Sequence, residues 1–231
     1  MADMALTEQL AVTDRNAALR RFGRSDSRFR RLTLLAALLV LAIFLGIVIS
    51  EIGSYWGPRH RPTTPFLWRF HSLHHAPEHV DWLINTRAHP LDMVFTRLCG
   101  LVPLYVLGLA SPSATGQAAM VPVYITLIGT VWAFFVHANV RWRFGPLEQL
   151  LATPHFHHWH HTNDENRDHN YAALFPWVDR MFGTYHGPRH WPPVYGVDQP
   201  PPADFAGALL HPFAPPRREP AASPAEAAKD A

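Results

Sequence analysis

Charge is scarce in this chain: Asp, Glu, Lys and Arg together make up 16% of its 231 residues, against about 25% in a typical soluble protein. Because 48% of the residues are hydrophobic, this shortage favours a lipid environment over a soluble domain. The net charge is only +2, and no basic stripe interleaved with aromatic residues occurs. Both observations argue against a nucleic acid as a partner.

Cysteine and several cofactor motifs are also scarce or missing. The one cysteine, Cys99, excludes an intrachain disulfide framework. No Gly-rich dinucleotide or flavin motif occurs, so the chain cannot draw electrons from NAD(P)H by itself. No His-Glu-x-x-His string occurs, which argues against a zinc hydrolase. The polar lead of 31 residues is too long for a secretory signal.

Long uncharged runs predict helices that cross a membrane. Residues 32–50 and 118–136 each form an uncharged run of 19 residues, and about 20 apolar residues cross the hydrocarbon core. Residues 93–110 form a third apolar run with Arg97 near its start. The second and third runs predict a hairpin that returns the chain to the side it left. We therefore expect an all-α integral membrane helical bundle.

The runs divide the chain into three parts. Residues 1–31 form a polar, Arg-rich segment, residues 32–213 the membrane domain, and residues 214–231 a Pro/Ala-rich tail that we expect to be disordered. Several arginines flank the hairpin, whereas its loop has none, so the positive-inside rule places the flanking segments in the cytoplasm. The Arg-rich N-terminus conflicts with that placement. Either residues 32–50 enter and return without crossing, or the N-terminus is an exception.

Six of the 16 histidines form two copies of one pattern, H-x-x-H-H. Residues three and four apart share a helix face, so each copy directs three imidazoles to one place. Neutral imidazole is the commonest metal ligand. An alternative is a group of histidines at a membrane surface or in a solvated loop, but the repetition in an aromatic setting argues against it. The two copies are His71, His74 and His75 in FHSLHH, and His157, His160 and His161 in FHHWHH.

Residues 51–213 resemble the fatty acid hydroxylase and sterol desaturase superfamily of membrane non-haem di-iron enzymes. Five segments carry the resemblance, in the order and spacing of the family. They are EIGSYW (51–56), FLWRFHSLHHAPE (66–78), NTRAHPLD (85–92), FVHANVRWRFGPLEQLLATPHFHHWHHTND (135–164) and DHNYAALFPWVDRMFGTYHGP (168–188).

The resemblance implies a cytosolic helical cap in which histidines hold two irons that activate O₂ for attack on a lipid. The ligands it implies are the two triplets and the isolated His137. Asp168, Asn170 and Tyr171 fall on an Asp-x-Asn-Tyr element, which implies hydrogen bonds to the far ring nitrogens of the ligands. Electrons would come from a separate reductase or small electron carrier.

The chain departs from the family at its first His box. Pro58 and Pro62 stand where the family has two histidines, and proline has no ligand atom and breaks a helix. His60 is the one nearby histidine and is a further candidate ligand. The leading hypothesis is an iron-dependent oxidoreductase that hydroxylates or desaturates a fatty acyl, sterol or related lipid. The alternative is a catalytically impaired family member that binds a lipid or a metal in the membrane.

Two acidic residues in the matching segments have open or simpler interpretations. We expect Asp179 to cap a helix or loop rather than to support a ligand. Glu148 either supports a ligand or pairs with Arg143, and the sequence does not distinguish the two. His155 and His158 flank the second triplet and are expected to point away from the metal.

Overall fold

The computed structural model describes residues 2–61, 64–111 and 113–215, with only the backbone described for 2–12, 18–25 and 117–118. Helices account for all the regular structure of these residues, which confirms the predicted all-α class. Three 3₁₀ helices, Trp82–Thr86, Gly145–Gln149 and His211–Phe213, lie between the α-helices. The α-helices are α1 (Ala2–His60), α2 (Pro65–His75), α3 (Pro90–Val106), α4 (Gln117–Val136), α5 (Pro154–His160), α6 (Pro176–Phe182) and α7 (Phe205–Leu210).

Helix α1 joins the polar lead and the first apolar run in one element of 59 residues. Its backbone is helical throughout, so residues 32–50 do not enter and return. Two helical segments are long and apolar enough to cross a membrane, Asp26–His60 and Ala119–Val136. Their apolar side chains lie on the surface, with Leu35 and Val131 each 62% exposed. A core helix of a soluble protein would bury such residues, so these surfaces fit contact with lipid.

Helix α3 is shorter than the predicted run of residues 93–110. It ends at Val106 because Gly108 adopts a left-handed conformation, with a φ of 71°. The backbone N–H of Leu109 donates to the carbonyl of Leu104, and that of Gly108 donates to Tyr105. These two bonds form the Schellman arrangement that ends many helices. At 17 residues, α3 is not among the segments long enough to span a membrane.

The described residues fall into two compact units. The first comprises residues 1–53 and 100–130, and its buried core is formed by Leu104, Ala110, Val121 and Ile125. The second comprises the described residues of 54–99 and 131–215 and contains every predicted ligand. These units cut across the predicted 32–213 domain, whose boundaries stay a prediction. Residues 216–231 of the predicted tail, like Pro62, lie outside the described residues.

Candidate metal centre

Helices α2 and α5 carry the two histidine triplets and are built alike. Each begins with a proline at its first turn, Pro65 or Pro154, where the missing N–H would have no helical partner and costs nothing. In α2 the last turn contains His74 and His75, and in α5 the C-cap residue His161 follows His157 and His160. The i, i+3 and i+4 spacing places the three rings on one side of each helix. The expectation that each triplet meets at one place is wrong, because each triplet supplies rings to two separate groups.

Four histidines from three parts of the chain meet in what we call the four-histidine group. Its members are His74, His137, His157 and His161, whose ligand atoms all lie within 4.8 Å of one another. The Nε2 atom of His137 is central: it lies 3.1 Å from Nε2 of His74, 3.0 Å from that of His157 and 3.2 Å from that of His161. The isolated histidine after α4 therefore joins both triplets.

The other three predicted ligands form a second cluster, the three-histidine group. Its members are His71, His75 and His160. The Nε2 atoms of His71 and His75 are 3.0 Å apart, and the ring centroids of His75 and His160 are 4.8 Å apart. All seven predicted ligands thus converge, and none is more than 9% exposed.

Burial keeps these rings neutral. It lowers the pKa of His74 to about 3 and the pKa of His137 and His160 to about 4, and neighbouring imidazoles add to the shift of His74. The pKa of each of the remaining four rings lies well below its usual value for the same reasons. At neutral pH each ring therefore offers a lone pair, which is the form of histidine that binds a metal.

Hydrogen bonds at Nδ1 decide which nitrogen carries that lone pair. Nδ1 of His74 donates to the carbonyl of Ile84 at 3.2 Å, and Nδ1 of His137 donates to Ala133 at 2.6 Å. Nδ1 of His160 donates to the carbonyl of His169 at 3.1 Å. A carbonyl can only accept, so in these three rings the proton is on Nδ1 and Nε2 is free.

With these tautomers the four-histidine group can bind a metal. In His74 and His137 two Nε2 lone pairs face each other at 3.1 Å, which is unfavourable because neither atom has a proton to donate. A cation between the rings would turn this repulsion into ligation, and imidazole suits iron, zinc and copper. Backbone oxygens that orient ligand rings in this way are typical of metal sites.

An ion pair lies beside the three-histidine group. The Arg61 guanidinium contacts the Asp92 carboxylate at 2.9 Å, and both side chains are at most 6% exposed. The second oxygen of Asp92 lies 3.0 Å from Nδ1 of His71, and Nη1 of Arg61 lies 3.5 Å from Nε2 of the same ring. Burial lowers the pKa of Arg61 and raises the pKa of Asp92, while each partner's charge opposes the shift.

The three-histidine group also forms part of a cavity wall. The cavity has a volume of about 700 Å³, and all three members of the group line it. Pro58, Trp68 and Arg69 contribute further to the wall. None of the four-histidine group is among the residues that line this cavity. The three-histidine group therefore has direct access to a ligand in this cavity.

The family model for fatty acid hydroxylases matches residues 43–184, more than half of the chain and a range that includes all seven histidines. The chain belongs to the fatty acid hydroxylase family. This finding confirms the resemblance predicted from the histidine boxes and the segments around them.

Several curated proteins are similar in sequence to this chain. An ornithine lipid hydroxylase OlsE from Rhizobium tropici is 38% identical over 151 residues, which cover 63% of this chain and 42% of the relative. An alkylglycerol monooxygenase from Danio rerio is 31% identical over 158 residues, covering 68% and 32%. A very-long-chain aldehyde decarbonylase GL1-11 from Oryza sativa is 24% identical over 148 residues, covering 63% and 53%.

The chain thus spans less than half the length of the first two relatives and about half that of the third. No solved structure matches it significantly.

The remaining predicted site residues differ in how near they lie to the two groups. His60 is exposed, and its ring stacks on Trp56 with centroids 5.6 Å apart. Asp168 is exposed on the cavity wall. The Asn170 side-chain amide donates to the carbonyls of Phe156 and His186 rather than to a ligand ring. Tyr171 approaches His160 edge-on, with ring centroids 5.7 Å apart.

Residues with simpler expected roles have structural partners. Glu148 pairs with Arg143, with 2.7 Å between the carboxylate and the guanidinium, which answers the question left open by the sequence. Nε2 of His155 donates to the carbonyl of His190, and Nδ1 of His158 lies 3.0 Å from the hydroxyl of Tyr195. The sequence provided no role for Arg61 and Asp92. The one available signal was an isolated aspartate in the family-like segment NTRAHPLD.

Asp179 anchors the closing segment of the family match. It is fully buried and accepts from the backbone N–H groups of Tyr171 and Ala172, at 2.8 and 2.9 Å, and from the hydroxyl of Thr184 at 2.6 Å. Replacing it by alanine leaves two buried N–H groups without an acceptor, so we expect a loss of about 2–4 kcal/mol in the free energy of unfolding. Thermal unfolding in detergent measures this loss.

The control for this variant is Asp198→Ala. Asp198 also accepts from neighbouring side chains, those of Asn163 and Arg167, but on an exposed surface. Exposed ion pairs contribute little, so the control should unfold close to the unmodified protein. Equal melting temperatures for the two variants would show that Asp179 does not anchor this segment.

Proposed function

We propose that this chain is an iron-dependent membrane oxidoreductase that hydroxylates or desaturates a lipid with O₂. The observation that carries the proposal is the convergence of seven buried, neutral imidazoles, one group of which opens to a cavity. The names of the relatives support a lipid substrate, since they include a lipid hydroxylase and an alkylglycerol monooxygenase. A fatty acyl, sterol or related lipid fits this proposal.

The two histidine groups would hold two irons, which supply the activation of O₂ for attack on an unactivated C–H bond. Hydroxylation consumes one O₂, two electrons and two protons, and yields the hydroxylated lipid and water. The chain has no motif for a nicotinamide or flavin cofactor, so the electrons come from a separate reductase or small carrier.

The residues around the iron positions have positioning roles. Carbonyls of Ile84, Ala133 and His169 hold the ring protons on Nδ1, so that Nε2 points inward. The carboxylate of Asp92 does the same for His71. Trp68 gives the cavity an apolar wall next to the three-histidine group, where an alkyl chain would displace water.

The arrangement in the membrane is part of the proposal. The exposed apolar faces of α1 and α4 would contact lipid. Because His74 and His137 contact each other, the segments before α3 and after α4 would lie on the same side of the membrane. The arginines in these segments favour the cytoplasmic side by the positive-inside rule. Such a location gives a cytoplasmic electron donor access to the metal. If the continuous α1 crosses the membrane once, the Arg-rich N-terminus lies on the side opposite the histidine groups. It is then an exception to the positive-inside rule.

One observation supports the alternative of a catalytically impaired protein that binds lipid or metal. Pro58 provides no ligand atom at a position where the resemblance implies a histidine, so the centre would have fewer ligands than the family pattern. Iron measurement separates the two functions. About two irons per chain supports the oxidoreductase with a complete pair, whereas no iron supports the binding protein.

The decisive experiment compares the lipids of cells with and without this chain. We expect the chain to add one oxygen to a lipid class or to remove two hydrogens from it, as read by mass spectrometry. His160→Gln removes a predicted ligand from α5 and should abolish this change. A lipid profile that is the same with and without the chain would overturn the proposed activity.

The matched control is His155→Gln in the same helix. His155 is also buried, but its Nε2 donates to the carbonyl of His190, a bond that the glutamine amide can replace. We expect this variant to retain the lipid change. Loss of the product in both variants would point to damage to α5 rather than to loss of a ligand.

A further inference from the structure

The two histidine groups differ in a way that the histidine pattern does not reveal. The four-histidine group offers four nitrogen ligands, enough to complete a tetrahedral site, and it does not line the cavity. The three-histidine group offers three, and all three line the cavity. Among zinc sites, four-ligand sites are typically structural, whereas catalytic sites keep a position open.

Pro58 belongs to the wall of the cavity that the three-histidine group faces. It lies in α1 and lines the same cavity as His71, His75 and His160. A proline side chain has no atom that binds a metal, so Pro58 adds no ligand to this wall. The departure from the family pattern therefore falls on the cavity that this group faces.

Arg61 further weakens cation binding at the three-histidine group. Its Nη1 atom lies 3.5 Å from Nε2 of His71, the nitrogen that would bind a metal. Asp92 compensates the charge of Arg61 and orients His71, so the position remains usable. No cation of the protein contacts the ring nitrogens of the four-histidine group in the hydrogen bonds described for it.

We propose that the two metal positions have unequal affinities and different tasks. The four-histidine group holds its metal tightly with four ring nitrogens. The three-histidine group holds its metal weakly and keeps positions open toward the lipid cavity, because Pro58 adds no ligand there. This inference rests on the proposed metal function. It adds which of the two histidine groups binds ligands from outside the protein.

Metal titration of the full chain tests the proposal. The protein is purified in detergent, stripped with a chelator and titrated with cobalt(II), whose visible absorption reports coordination. We expect two binding steps whose dissociation constants differ by at least about 100-fold, more than the loss of a supporting hydrogen bond produces. Azide added to the fully loaded protein should change the absorption of the weaker step and not that of the tighter one.

Pro58→His adds an imidazole to the wall beside the three-histidine group. We expect it to tighten the weaker step at least tenfold and to reduce the azide response, with no change in the tighter step. Pro202→His is the matched control, because Pro202 lines the same cavity at a place that approaches Gly207. It should leave both steps and the azide response unchanged.

Two ligand variants keep the test informative if Pro58→His does not fold. His75→Gln should remove only the weaker step, and His157→Gln only the tighter one. Two steps of equal affinity, or an azide response at the tighter step, would overturn this inference while leaving the proposed function intact. Absence of any metal binding by the unmodified chain would overturn the proposed function itself.

Discussion

Replacement of His137 by glutamine is expected to lower lipid oxidation at least about 100-fold and to remove one metal per chain. Its Nε2 atom lies within 3.2 Å of three other Nε2 atoms, so the whole four-histidine group depends on this ring. Loss of a hydrogen bond to a ligand already costs 10- to 100-fold in metal affinity or activity, and loss of a ligand should cost more. Metal analysis of the purified protein and mass spectrometry of the lipid product measure the two effects.

The control is His89→Gln, a second isolated histidine outside both triplets. His89 is also buried, and its Nε2 donates to the carbonyl of Leu209, a bond that the glutamine amide can make. We expect normal metal content and product in this variant. A His137→Gln protein with full metal content would falsify the assignment of the four-histidine group as a metal site.

Replacement of Asp92 by alanine is expected to destabilise the fold and to weaken the three-histidine group. It leaves the Arg61 guanidinium, whose side chain is 2% exposed, as an unpaired buried charge. Breaking one side of a buried pair typically costs about 3–5 kcal/mol. His71 also loses the partner of its Nδ1 atom, so metal affinity at the three-histidine group should decrease about 10- to 100-fold. Thermal unfolding and metal titration measure the two consequences separately.

A double variant separates the two roles of Asp92. Arg61→Met combined with Asp92→Leu removes both charges, and such replacements of buried pairs are often neutral for stability. We expect the double variant to recover most of the lost stability. Because Arg61 no longer opposes a cation near His71, metal affinity at the three-histidine group should recover in part, but it should stay below that of Arg61→Met alone, in which Asp92 still accepts from His71. Equal affinities of the double variant and Arg61→Met would show that Asp92 does not position His71.

The histidine ligands were predictable because their chemistry is local in the sequence. The H-x-x-H-H spacing places three rings on one side of a helix, and both triplets lie on a helix or directly at its end. The place of His137 came from the family resemblance. The sequence contains nothing that would divide the seven into groups of four and three, because that division depends on how α2, α4 and α5 pack.

The partners of the ligand rings were less predictable. The resemblance pointed to Asp168, Asn170 and Tyr171, whereas the described structure uses backbone carbonyls for three rings and Asp92 for a fourth. A carbonyl is present in every residue, so the sequence cannot mark the ones that accept from a ligand. Similarly, the length of α3 depended on the left-handed conformation of Gly108 rather than on the length of the apolar run.

The sequence by itself determined the helical class, the family, the apolar segments and the set of seven candidate ligands. Residue type and periodicity encode these properties directly, because hydrophobicity and ligand chemistry belong to single side chains. Only the tertiary structure decided that His60 belongs to neither histidine group, that Arg61 pairs with Asp92, and that one histidine group faces a cavity that Pro58 also lines. These features depend on which residues from distant segments are buried together, and burial sets both the charge of a ring and its access to a ligand.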